Sequence, residues 1–435
     1  MSSVSRGIDR IGVTFDEPNL VANAGLLLVA TLVAGLQLER LINTTLDLSG
    51  RIGGALPGRK VLTVVHSMVA GGSHIDHADM LRAGSTESVL GHRVMAPSTL
   101  GTFLRAFTFG HVRQLDSVLA ETLRRAWALG AGPGAERSVV DLDSTICEVC
   151  GKDKHGAGYG YTKRFGYHPL LATLAATGEL LHVRMRKGSA NTQRGTKRFL
   201  EELVARLRRA GATGELVMRF DSGFWSNTTI ATLHRLGVGY TMGVRMVKSV
   251  VTAVSAIDEG AWTPIDYTSD GVAEVAECIY KGRRLIVRRT RLVGHQATLW
   301  PEWRHFAFLT DLDGTAVELD AFHRDHARVE LAIKDLKEGA GMEHVPSGNF
   351  FANAAWLVCA ALAHNLIRWS AMLGQLTPKD RLVVARTVRT RFLSVPGRLV
   401  SRSGTPTLRG PLRWPWAVTF ERALTLLRAL PPVPL

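Results

Sequence analysis

Between residues 139 and 245, short apolar runs and amphipathic stretches follow one another in an order that few folds accommodate. The run VVDLD (139–143) has the brevity and β-branched content of a strand. After a polar, glycine-rich loop, HPLLATLAATGELLHVRMRKGS (168–189) reads as two strands joined by a turn at Thr177 and Gly178. TKRFLEELVARLRRAG (196–211) is an amphipathic helix with a glycine stop, LVMRFD (216–221) a buried strand, TTIATLHRLG (228–237) a helix and VGYTMGVR (238–245) another strand. Three strands, a helix, a strand, a helix and a strand place the first and fourth strands side by side.

That is the order of an RNase H-like core, so the expected fold class is α/β with a mixed sheet. Two segments, AEVAECIYKGRRLIVRRTRLV (273–293) and HFAFLTDL (305–312), break the rhythm as hairpin material, and an all-β insert is the simplest account. Helical pattern returns over 320–339 and 353–373. The loop GAGPGAERS (130–138) marks a boundary by its glycine and proline content. The expected organisation is a helical N-terminal DNA-binding or dimerisation region (1–130) and a first part of the catalytic core (139–247). A β-rich insertion (248–312), a second part of the core (313–375) and a C-terminal region (376–435) follow.

The 435 residues carry 53 Lys+Arg against 38 Asp+Glu, a formal charge of +15. Such a surface attracts polyanions, nucleic acid first and an anionic membrane second. The positive charge is spread along the chain rather than gathered on one helix, which disfavours the membrane. Two apolar runs, 25–36 and 354–367, fall short of the roughly 20 residues that span a bilayer and read as core helices. No signal peptide is apparent, and four cysteines in a chain this long do not make a disulfide framework. A cytoplasmic, nucleoid-associated protein is expected. Cys147 and Cys150 form a single Cys-x-x-Cys without a second pair, which reads as incidental rather than as a zinc site.

The strand 216–221 ends on a carboxylate, Asp221, where an α/β sheet usually meets its ligand. Capping of the following helix is the alternative role. Asp141 and Asp143 stand two apart on the first strand and share a face. Strands about 4.8 Å apart bring Asp143 within reach of an ion shared with Asp221. A third acid belongs on a packed helix, and Glu330 in HRDHARVELAIKDLKEG (323–339) fits, with Lys334 and Lys337 on the same face. Two bare carboxylates about 4 Å apart repel by roughly 4 kcal/mol at an effective dielectric near 20, a cost that a divalent ion removes. Oxygen-only ligands favour magnesium or manganese, and two such ions suit phosphodiester cleavage.

Asp143 in DLDST, Asp221 in RFDSGF and Glu330 in RVELAIKDLK resemble the three acids of DDE-type insertion-sequence transposases. Ser144 and Thr145 favour Asp143 over the alternative first acid, Asp141. The β-rich segment between the second Asp and the Glu is similar to an insert in that group, and GAGYGYTKRFGYHPLLA (156–172) looks closest to the insertion-sequence group numbered thirteen-eighty. The resemblance covers about residues 139 to 370. It implies Asp143, Asp221 and Glu330 as catalytic and metal-ligating residues, two Mg2+ ions with Mn2+ able to substitute, and double-stranded DNA as partner in terminal repeats and target. A homodimer in the DNA complex is implied because two ends must be cut and joined. Relatives often show Tyr-x2-Arg-x3-Glu-x6-Lys; here His323 and His326 stand for the Tyr and Arg, so no role of that pair carries over. Lys337 and Lys334 resemble the residues that hold DNA phosphate.

Further DNA contacts are expected from Lys163 and Arg164, and from Arg184, Arg186 and Lys187, at the edges of the sheet. Tyr161, Phe165, Tyr167 and Trp225 are candidates to stack on an unpaired base. MAPSTLGTFLRAF (95–107) reads as a helix with a Ser/Thr N-cap, either structural or a recognition helix. The function expected is a transposase that cleaves the ends of its element and joins them to target DNA. A metal nuclease of the same fold and a transposase-derived DNA-binding protein that no longer catalyses are the competing classes.

Overall fold

The structure is a computed structural model that describes residues 11–160, 163–267, 271–292, 303–378, 381–402 and 404–433. Its main sheet has nine strands among the described residues: β1 Ser138–Ser144, β2 Leu170–Leu174, β3 Leu180–Arg184, β4 Leu216–Phe220, β5 Gly239–Val244, β6 Thr263–Ile265, β7 Gly271–Tyr280, β8 Arg283–Leu292 and β9 Arg304–Thr310. Across the sheet they run β3-β2-β1-β4-β5-β9-β8-β7-β6. The first and fourth strands are neighbours and parallel, in a register that sets Leu142 opposite Phe220. β4 and β5 are also parallel, while β1, β2 and β3 form an antiparallel meander. The helices Thr196–Ala210 and Asn227–Leu236 supply the crossovers that parallel pairing requires.

The expected all-β insert needs correction. The segment after β5 is not all β, because the helix Lys248–Ser255 opens it. Its strands join the main sheet: β9 returns to pair antiparallel with β5, Ala307 opposite Val244. The β7–β8 hairpin turns at Lys281 and Gly282, both at positive φ (51° and 73°), as a tight turn matched to strand twist requires.

The expected helix 320–339 is also broken. A capping box, with Thr315 and Glu318 bonding each other's backbone N–H, starts the helix Ala316–Arg324. A 3₁₀ turn, Asp325–Ala327, separates it from the helix Arg328–Gly339. At 97–105 the helix Pro97–Arg105 begins after Ala96 with no side-chain cap, so proline at the first position replaces the expected Ser/Thr signal. The loop after β1 contains three short antiparallel strands, Cys147–Glu148, Gly158–Tyr159 and Phe165–Tyr167. Gly188 lies against them so closely that a Cβ would meet Gly166 O at 2.0 Å and Gly158 O at 2.3 Å.

Among the described residues, one unbroken helix, Phe350–Leu373, is long and apolar enough to cross a membrane; at 24 residues it outruns the short apolar run expected at 354–367, yet nearly all of it is buried within the protein. The helices Leu26–Gly35, Pro57–Val69, Pro97–Arg105 and Phe109–Ala126 pack around it, as does β3. A continuous apolar core therefore runs from Leu26 to Val433. The polar residues within this helix have specific work. Asn365 accepts from Leu180 N (2.7 Å) and donates to Leu180 O (2.8 Å), so it pairs with the backbone of the edge strand β3. His364 bonds Gly178 O at 2.9 Å, and Arg368 donates to Thr177 O at 3.2 Å while pairing with Asp335. Replacing Asn365 by Ala leaves both Leu180 groups buried without partners, at an expected cost of about 2 kcal/mol or more. Urea unfolding checks it: the midpoint falls while the m-value stays constant.

Candidate active site

Asp143 and Asp221 follow directly on the last paired residues of neighbouring parallel strands, Leu142 and Phe220. Asp221 is exposed, and its Oδ1 accepts from Gly223 N at 3.0 Å, opening the 3₁₀ turn Ser222–Phe224. The next α-helix is capped by Ser226 instead, whose hydroxyl accepts from Thr229 N at 3.1 Å. The capping role of Asp221 is thus confined to the short turn. Glu330 is exposed in the first turn of Arg328–Gly339, while Val329, Ile333 and Leu336 bury the other face of that helix. Asp143, Thr145, Glu330, Lys334 and Lys337 line a common cavity of about 280 Å³.

The Asp143 carboxyl registers the other two acids. Burial pushes it up from its ordinary value of 3.8 to about 6, against the Ser144 N–H that it accepts at 2.6 Å. The charge of Asp221 raises it further, His326 opposes, and Glu330 raises it again. Three carboxylates gathered around the buried Asp143 form a donor set suited to a hard divalent cation. Lys337 stands beside them, with Nζ donating to Ile146 O at 3.1 Å.

Asp141 is engaged differently. It is 1% exposed, and Arg219 grips both its oxygens, Nε to Oδ1 at 2.7 Å and Nη2 to Oδ2 at 2.9 Å. His326 Nδ1 lies 2.8 Å from the same Oδ1. His323, at the other motif position, is buried, bonds Thr241 Oγ1 at 2.7 Å and stacks on Phe308.

A second cluster, which the sequence did not reveal, joins Asp116, His182 and Glu202 within 4.8 Å of one another. Four guanidiniums already surround its two carboxylates: Arg206 on Asp116 at 2.8 Å, Arg113 and Arg198 on Glu202 at 3.0 and 2.9 Å, and Arg184 on Glu202. Burial works against ionisation of Asp116, yet Arg206 and His182 hold it well below the usual carboxylate range. A cation would have to enter against those positive charges. The cluster reads as a brace between the helices Phe109–Ala126 and Thr196–Ala210 and strand β3. Of the cysteines, Cys147 is buried with its thiol pushed up to about 12, and all four are free.

A family model described as transposase DDE domain group 1 matches residues 5–432. The chain belongs to this DDE transposase family. Among solved structures it is similar to a piggyBac transposase in a synaptic complex with hairpin DNA, with a TM-score of 0.44 and 12% identity over 86% of this chain and 80% of the other. No curated protein matches it.

In this DDE transposase chain the basic residues at the sheet edges divide into two kinds. Arg186 is buried, not a surface contact: it donates to His168 O, Asn191 O, Thr192 O and Arg194 O and organises the loop after β3. Burial lowers its pKa to about 10. Arg184 pairs with Glu202 and lies over the Phe199 ring, so it too serves the fold. Arg164 is exposed but pairs with Glu148. Lys163, Lys187 and Lys334 are exposed, Lys334 only 3.9 Å from Glu338. Of the aromatic candidates, Tyr167 is fully buried and bonds His155 O, Phe165 tilts against Tyr159, and Tyr161 lies outside the described residues. Trp225 is half-buried, its ring tilted against Tyr280 at 6.3 Å. Arg219 and His168 were missed. Arg219 was visible as the lone charge in an apolar strand; His168, which bonds Ser144 Oγ at 2.9 Å, carried no such signal.

The raised Asp143 carboxyl gives a pH prediction with a definite sign. Its native value lies above the unfolded one, so its contribution to metal-free stability is complete below about pH 4 and is lost as pH rises through about 6. A cation binds the ionised form, so Mn2+ affinity is expected to rise about tenfold per pH unit up to about pH 6 and then level off. Calorimetric titration of wild type and Asp143→Asn checks this; the variant loses both the affinity and the stability slope between those pH values.

Proposed function

We propose that this chain is a DNA transposase that cleaves the ends of an insertion sequence and joins them to target DNA in cut-and-paste transposition. The observation that carries the reading is the convergence of Asp143, Asp221 and Glu330: the two aspartates follow on the last paired positions of β1 and β4, and Asp143 shares a cavity with Glu330. Membership of the DDE transposase family supports it, as does a strand order in which the first strand is parallel to the fourth. We read β1 to β5 with the Glu330 helix as an RNase H-like core, β6 to β9 as its insertion and the N-terminal helices as a DNA-binding or dimerisation region. Within the family we place the chain in the insertion-sequence group numbered thirteen-eighty.

In this reading Asp143, Asp221 and Glu330 hold two Mg2+ ions, for which Mn2+ substitutes. Such ions, when bound, lower the pKa of an attacking water or 3′-hydroxyl and offset charge on the leaving oxygen. The protein brings oxygen ligands to the ends of two adjacent strands and one helix, and Lys337 and Lys334 supply positive charge for DNA phosphate at the same cavity. The partner is double-stranded DNA, first as terminal inverted repeats and then as target, bound by a homodimer in the nucleoid of the cytoplasm. Exposed Lys163 and Lys187 extend the phosphate contacts, and the half-buried Trp225 stands ready to stack on a base beside Asp221.

Cleavage of DNA carrying the repeats that flank the gene tests the reading. Wild type is expected to cut and join in Mg2+ or Mn2+. Asp143→Ala, Asp221→Ala and Glu330→Ala are expected to bind the same DNA and fail to cut. Cutting without joining would make the chain a metal nuclease, and an alanine variant that cuts normally would remove that residue from the site. Lys187→Ala and Lys334→Ala should each lower the slope of log affinity against log salt by about 1, measured by fluorescence anisotropy.

A further inference from the structure

Behind the three acids lies a second constellation of three residues, one from each of the same segments. Asp141 precedes Asp143 by two residues on β1. Arg219 precedes Asp221 by two at the end of β4. His326 precedes Glu330 by four, about one helical turn. Residues two apart on a strand share a face, so Asp141 and Arg219 lie one step below the aspartates, while His326 stands in the 3₁₀ turn that immediately precedes the Glu330 helix. Its members are bonded to one another. Arg219 holds both oxygens of Asp141, its Nη1 donates to Phe322 O at 2.8 Å, and His326 Nδ1 reaches Asp141 Oδ1 at 2.8 Å. Asp141 and Arg219 are almost fully buried, and the His326 side chain is 14% exposed. Since a carboxylate only accepts, the shared proton sits on Nδ1, which fixes the imidazole's orientation.

We propose that Asp141, Arg219 and His326 form a clasp that sets the spacing of the three acids, with His326 the positioning residue for Glu330 rather than a ligand of DNA phosphate. The inference rests on the reading of the acids as a metal site. β1 and β4 already hold Asp143 and Asp221 together by backbone pairing, but Glu330 comes from a helix that starts afresh after the break at Asp325–Ala327. The bond from His326 to Asp141 falls within that break and ties the start of the Glu330 helix to β1. Arg219, reaching Phe322 O, ties the preceding helix to β4. The clasp thus fixes the Glu330 segment against both strands that carry the aspartates.

The test uses the full chain as wild type, His326→Ala and His326→Asn. It measures Mn2+ binding without DNA by electron paramagnetic resonance, binding of a duplex of the gene's flanking sequence in EDTA, cleavage kcat and KM, and Tm. In His326→Ala, Mn2+ affinity and kcat are expected to fall about 10–100-fold while DNA affinity and its salt dependence stay unchanged. His326→Asn, whose amide donates from nearly the position of Nδ1, recovers most of both. Wild-type Mn2+ affinity in His326→Ala overturns the clasp. So does a loss of DNA affinity with a shallower salt slope in both variants, which would make His326 a phosphate contact. If Tm shows the alanine variant unfolded, His326→Gln decides, since it keeps a donor but displaces it: weakened Mn2+ binding in a folded variant supports the clasp and undiminished binding overturns it. Wild type that binds no Mn2+ removes the metal-site reading itself, an outcome read without any variant.

Discussion

The ion pair between Asp141 and Arg219 holds the centre of the sheet in a single arrangement. Both residues lie in adjacent strands, both are buried, and the guanidinium is two-pronged on the carboxylate. Burying two charges costs several kcal/mol per ion unless the geometry is good and the remaining donors are used. Here they are used: Arg219 also donates to Phe322 O and lies under the Phe322 ring at 5.1 Å, and Asp141 also receives His326. A slip of one residue between β1 and β4 would turn either charge toward the apolar face, so the pair selects the register as well as stabilising it. That register in turn sets Asp143 and Asp221 side by side.

The opposite side of the meander depends on a different device. β3 is the edge of the sheet, and the long apolar helix Phe350–Leu373 covers it. An apolar helix laid on a strand edge would leave backbone groups without partners. Asn365, His364 and Arg368 prevent this by bonding the backbone of Leu180, Gly178 and Thr177. The same helix gathers the N-terminal helices around it, so those helices and the sheet share one core. Its buried polar side chains let an element of membrane-like composition serve as the interior of a globular protein.

The strands and crossovers between 138 and 244 were legible because each is a short apolar run bounded by turn residues, and their order leaves few topologies open. The two aspartates were legible for the same reason, since each ends such a run. What local pattern did not carry was anything decided by distant partners. The residues of HRDHARVE contain no glycine or proline, and nothing in them marks the break at Asp325–Ala327, where His326 bonds a strand 185 positions earlier. Arg186 sits among the polar residues of a strand end, yet it turns inward because four loop carbonyls converge on it. Arg219 did leave a trace, for a charge within LVMRF demands a buried counter-charge.

The fate of the basic residues follows from side-chain chemistry. Arginine's planar fork satisfies several acceptors at once and gives up hydration more readily than an ammonium, so it is the cation suited to interior pairing. Arg184, Arg186 and Arg219 follow that rule, held by Glu202, by loop carbonyls and by Asp141. Lys163, Lys187 and Lys334 keep their charges at the surface. A count of Lys and Arg therefore overstates the charge presented to a polyanion. Around the acids the contrast matters most: a guanidinium as close as Arg219 would compete with a divalent ion, and Asp141 keeps it one layer below. The cations that line the cavity itself are lysines, Lys334 and Lys337, whose single ammonium cannot grip a carboxylate with the two-pronged geometry of a guanidinium.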